Sequence, residues 1–236
     1  MKQKKLYPKV AFDIFYEQFK WSIWFISILT AIHVIVLLFF ADARTEIGGF
    51  FEFSRYSTAI FMLVSGIMAS YVFLSAYVQQ GISRKDVYRG IGIGAFGLAL
   101  FLTILPLLLN GVEYLLSEYM SLPLTFSSYG SAADWFVEVL IYLLNIFTYY
   151  LVGWLISIGY YRFGWMIGFL FIALAIVALS LNGYFWGDEG ISSIIPWIPN
   201  NPIENSPSIS FIGSLILIAA LLAAMRLLTK RVAIKM

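Results

Sequence analysis

Cysteine is absent from the 236 residues, which excludes a disulfide framework, an iron–sulfur cluster and thiol chemistry. Histidine occurs once, at His33, so no set of converging imidazoles is available for a metal centre. Charged side chains make up only 12% of the chain, against about 25% in an ordinary soluble domain. No Gly-x-x-x-x-Gly-Lys-Ser/Thr phosphate loop occurs, so the chain has no site of its own for binding and hydrolysing nucleotide. His-Glu-x-x-His and the nucleophile elbow are also missing. Metal-dependent hydrolysis, serine hydrolysis and nucleotide hydrolysis therefore have no motif to rest on.

What is present is apolar. Hydrophobic residues are 61% of the composition, too much for the core of a soluble domain of this size. Six uncharged runs, 21–41, 56–83, 90–112, 139–161, 163–187 and 205–225, each reach the length of about 20 residues that a helix needs to cross a bilayer core. The expected spans lie near 21–40, 57–79, 91–111, 135–157, 164–182 and 209–228. Their continuity excludes the alternating pattern of a transmembrane barrel. The fold class is thus an all-α integral membrane protein with six transmembrane helices in one domain over 1–236.

Orientation is read from Lys and Arg. With the N-terminus inside, thirteen of the fifteen fall on the inner side, and only Arg44 and Arg55 fall outside. Both termini are expected in the cytoplasm. The seven tryptophans, Trp21, Trp24, Trp135, Trp154, Trp165, Trp186 and Trp197, are expected near one headgroup level or the other. Residues 8–20, where Phe12, Phe15 and Phe19 mix with Lys9, Asp13 and Glu17, predict an amphipathic helix lying in the inner interface before the first span. No small-residue cleavage site precedes that span, so the stretch does not read as a secretory signal. Outside, 183–208 carries Pro196, Pro199, Pro202 and Pro207 behind an apolar patch, which suggests a short element dipping into the outer leaflet. The segment 112–134 reads as a second outer loop.

Within the spans, His33 has two readings. It hydrogen-bonds a hydroxyl or carbonyl of a neighbouring helix, or it serves a proton path or substrate. Carboxylates are missing from the uncharged runs, and Glu113 and Glu138 stand near outer helix ends, which speaks against ion coupling. Gly90, Gly94 and Gly97, Gly164 and Gly168, and Ala219, Ala220, Ala223 and Ala224 form small-residue faces for close helix approach, inside one bundle or across a dimer.

One stretch stands apart. Residues 80–90 place Arg84, Lys85 and Arg89 between two apolar runs. Gly81 suits the left-handed end of the preceding helix, and Ser83 with Asp86 three residues later has the form of a capping box that starts a short helix. A loop that only fixes topology needs neither device. A capped basic helix suits the groove of a partner bearing acidic groups.

At these residues the chain resembles the membrane subunit of ABC transporters of the ABC-2, or type V exporter-like, class, in the small form found in Gram-positive bacteria. The resemblance rests on six spans, the N-terminal amphipathic segment, the Gly-Ile-Ser-Arg-Lys-Asp turn at 81–86, and the proline-bearing outer segment before span six. It implies a bacterial plasma-membrane location and a separate ATPase subunit that holds ATP and Mg, with no cofactor on this chain. It implies pairing with a second permease subunit in a homo- or heterodimer. Gly81, Ile82, Ser83, Arg84, Lys85 and Asp86 would form the coupling helix in the ATPase groove, with Val87 and Tyr88 continuing the contact. Membrane lipids are the remaining expected partner, and nucleic acid is not one. Relatives of this kind export antimicrobial or amphipathic peptides and lipid-like compounds, although no substrate motif carries over. Two other classes stay open. They are a substrate-binding component of a vitamin-type importer, and a membrane protein without ATP coupling such as an immunity or sensor factor.

Overall fold

The computed structural model describes residues 6–40, 47–120, 131–186 and 207–230. Among them every regular element is helical: α1 (Tyr7–Phe39), α2 (Phe50–Gln79), α3 (Arg84–Met120), α4 (Ala132–Phe163), α5 (Trp165–Trp186) and α6 (Pro207–Lys230). All six are long and apolar enough to cross a membrane, and each matches one expected span to within a residue at the ends where the helix is the shorter. The chain has the architecture of a multi-pass membrane protein.

The centre is α4. Tyr142, Ile146, Tyr150, Leu151, Trp154 and Ile158 on this helix have no exposed surface. A helix buried on nearly every side is surrounded by others, and α2, α3, α5 and α6 all pack against it. Its contact with α2 is the closest in the molecule's core. Cβ atoms added at Gly66 and Gly153 would collide with the Tyr150 and Leu63 carbonyls respectively, so only glycine permits this backbone approach. The stripe Gly90, Gly94 and Gly97 on α3 receives Val10, Ala11, Ile14 and Phe15 of α1. That face is used inside the bundle, and α1 packs on it from its first turns.

Two expectations change here. The helix over 8–20 is not a separate element, because α1 runs unbroken for 33 residues from Tyr7 into the first span. Val10, Ala11 and Ile14 are buried against α3, which favours continuing the helix over bending it into the interface. Trp154 is fully buried and packs 5.5 Å from the Tyr88 ring, so it faces the bundle beside the turn at 81–89. Trp21, Trp24, Trp135 and Trp165 are exposed on the outside of the bundle. Residues 112–120, expected in a loop, extend α3. The element expected within 183–208 lies mostly outside the described residues, as does Trp197.

Within α2, Ala69–Leu74 widens into a π-helical turn. At that point the Ala69 N–H donates to the Gly66 carbonyl. The Ser65 carbonyl accepts a hydrogen bond from Gln18 Nε2 of α1 (3.3 Å), and the same amide reaches the Tyr150 hydroxyl of α4 (3.1 Å). One buried glutamine thereby ties three helices where the backbone register shifts.

Candidate functional site

The turn between α2 and α3 is built by two caps. At the end of α2 the Gly81 N–H donates to the Val78 carbonyl and the Ile82 N–H to the Tyr77 carbonyl, both at 3.0 Å, with Gly81 at φ +82°. This is the double bond pattern of a Schellman motif, which needs a residue free to enter the left-handed region. Ile82, just beyond, folds back onto the core beside Tyr77. Ser83 then caps α3. Its Oγ accepts from the Asp86 N–H (3.1 Å) and its hydroxyl donates to Asp86 Oδ2 (2.9 Å). The capping residues Gly81 and Ser83 are thus two positions apart, between a helix that ends at Gln79 and one that begins at Arg84.

The basic stretch does not form a short helix of its own. Arg84 is the first residue of α3, which continues through Gly90 without interruption to Met120. Gly90 does not restart a helix; it makes room for Val10. The eight residues singled out by sequence therefore divide between two faces. Gly81, Ser83 and Lys85 are exposed, as is Arg89 one turn on, and Ile82, Arg84 and Asp86 are half-buried. Val87 is fully buried and Tyr88 turns inward, so these two hold the turn to the bundle and present little surface to a partner.

That inward grip centres on the end of α6. The Tyr88 hydroxyl donates to the Leu222 carbonyl (2.8 Å), and the Arg226 guanidinium lies over the Tyr88 ring at 5.5 Å. Arg84 donates to the Lys230 carbonyl (3.4 Å), and Arg162, at the end of α4, donates to the Leu228 carbonyl (2.9 Å). Carbonyls point toward the negative, C-terminal end of a helix dipole, so two guanidinium groups are well matched to them. The sequence shows Arg84 as a residue of the docking turn and Arg162 only as a topology signal. Their bonds to α6 depend on three chain segments meeting, which spacing along one segment does not reveal.

At the opposite end of α3 stands His33. It is 2% exposed, and its Nε2 lies 2.9 Å from Glu113 Oε1. Its partner is a carboxylate on α3, not the hydroxyl or carbonyl expected. The other carboxylate oxygen accepts from the Phe50 N–H (2.8 Å), and Asn110 Oδ1 accepts from the Phe51 N–H (3.3 Å). Glu113 and Asn110 thus cap the N-terminus of α2 from a neighbouring helix, where a negative charge is favoured by the dipole. His33 Nδ1 is buried with no hydrogen-bond partner, between the rings of Phe50 and Phe53. Glu113 had been placed at a helix end because it terminates an uncharged run; the extension of α3 to Met120 puts it two turns inside. A half-buried carboxylate therefore lies inside a membrane-length helix, paired with a buried histidine. Glu138 forms an ion pair with Arg55 between α4 and α2. Among the described residues no group of three or more His, Asp or Glu gathers as a metal site.

Six membrane-length helices, one of them buried at the centre, define the class, a multi-pass helical membrane protein. Compared with protein-family models, curated proteins and solved structures, the chain matches none.

Proposed function

We propose that this chain is the membrane subunit of an ATP-driven exporter, with both termini in the cytoplasm, and that the turn at 81–89 receives a separate ATPase. The observation that carries the reading is the doubly capped turn. It is rigid, it exposes Ser83, Lys85 and Arg89, and its inner side is hydrogen-bonded to the last helix. A rigid basic projection suits a groove lined with acidic groups. A push on it would be delivered to α6 through Tyr88 and Arg84. ATP and Mg belong to the partner, and two such membrane subunits pair to flank the path of an amphipathic or lipid-like substrate.

The test uses Lys85→Glu with Arg89→Glu, both exposed and outside the grip on α6. Co-expressed with an ATPase subunit bearing a phosphate loop, the native chain is expected to co-purify and support ATP hydrolysis. The double variant is expected to stay folded in the membrane and lose the ATPase. Unchanged assembly and hydrolysis in the variant would overturn the docking reading.

A second reading, a transporter driven by a proton gradient without any ATPase, is favoured by the pairing of buried His33 with half-buried Glu113. Glu113→Gln separates the two, as set out below.

A further inference from the structure

A groove of about 430 Å³ runs between α4, α5 and α6. Its floor and walls are apolar, formed by Leu155 of α4, Phe171 and Leu174 of α5, and a strip of α6 from Leu217 to Leu228. Ala220 and Ala224 create the depth, since they stand in that strip between Leu217, Leu221, Leu227 and Leu228. The strip covers about 16 Å along the helix axis at 1.5 Å per residue, so the groove is long and narrow. One end is marked by charge. Leu228, at the groove's end, offers its carbonyl to Arg162, which spends one of five N–H donors there and is only half-buried. The Arg162 guanidinium also lies 4.8 Å from the centroid of its neighbour Phe163, whose ring is exposed.

From this juxtaposition we propose that the groove holds one acyl chain of an acidic glycerophospholipid, with its phosphate at Arg162. An apolar channel open along its length and finished by a guanidinium matches a lipid tail joined to an anion. Basic pockets between helices favour acidic headgroups for this reason. A zwitterionic lipid would fill the same channel with its headgroup charge largely neutralised, so the arginine sets the preference. The ion-pair geometry available is the fork of a guanidinium against two phosphate oxygens. This site is independent of any ATPase, because it rests on α4, α5 and α6 alone.

The experiment is lipid retention by native mass spectrometry, on the full chain released from detergent, with dioleoyl phosphatidylglycerol and dioleoyl phosphatidylcholine as probes. The native chain is expected to retain one phosphatidylglycerol in preference to phosphatidylcholine by about fivefold, the effect of one cation beside an acidic headgroup. Ala220→Phe and Ala224→Phe, which fill the channel and leave Arg162 in place, are expected to lose retention of both lipids. Arg162→Gln is expected to keep retention and lose the preference. Should Arg162→Gln fail to fold, the alanine variants, whose positions lie away from the Arg162–Leu228 bond, carry the test. Equal retention of the two lipids by the native chain, or undiminished retention by both phenylalanine variants, would overturn the proposal. So would a lipid-free dimer that the phenylalanine variants split, because the groove would then be the seat of a second copy.

Discussion

Glu113 answers to three helices at once. It belongs to α3, it accepts a hydrogen bond at the first turn of α2, and it lies within hydrogen-bonding distance of the lone histidine of α1. Replacing it with alanine leaves the Phe50 N–H and His33 Nε2 without an acceptor. Each abandoned buried group costs about 1–3 kcal/mol, so a loss of roughly 3 kcal/mol is expected for Glu113→Ala in reversible unfolding from mixed micelles. Glu113→Gln keeps an acceptor and should cost less, while removing the carboxylate that could exchange a proton. In proteoliposomes of this chain alone, proton-driven transport predicts dye-reported proton flux that Glu113→Gln abolishes. The ATPase-driven reading predicts no such flux from either protein. Nothing in the local sequence marked this residue, since a carboxylate at the edge of an apolar run looks the same whether the helix stops there or continues for two more turns. His33 was visible as an anomaly, but its partner lies 80 positions away.

At the level of elements, the apolar runs were enough to place six helices, because length and continuity alone distinguish a span. The caps at Gly81 and Ser83 were also legible, being local signals decided within six residues. The packing was not. Gly66 and Gly153 went unremarked beside the more regular Gly90, Gly94 and Gly97, yet they make the tighter crossing, since each would place a Cβ on the facing backbone. Which small residues meet is a property of two helices, and one sequence shows only one at a time. Gly153→Val is therefore expected to destabilise the fold by roughly 3 kcal/mol, the upper range for overpacking, because a carbonyl and not a movable side chain stands in the way. Gly92→Val, at a position with nothing within 4 Å, should change unfolding little. Comparable losses in both would contradict the crossing.

For the whole molecule, the proposed orientation rests on the Lys and Arg asymmetry alone, and it can be checked directly because the chain contains no cysteine. Single cysteines at Lys85 and at Tyr119, both exposed and at opposite ends of α3, report opposite faces. In intact cells a membrane-impermeant maleimide is expected to label Tyr119→Cys and to label Lys85→Cys only after lysis. The reverse pattern would invert the topology and remove the turn from any cytoplasmic ATPase.

The two arginine bonds to α6 also bear on synthesis. Helices α3 and α4 leave the ribosome before α6 exists, so Arg84 and Arg162 are made before the carbonyls they hold in the fold. Only when Leu228 and Lys230 arrive can those bonds form. Two arginines far upstream therefore fix where α6 comes to rest, and docking of that helix is a late step that depends on residues made early.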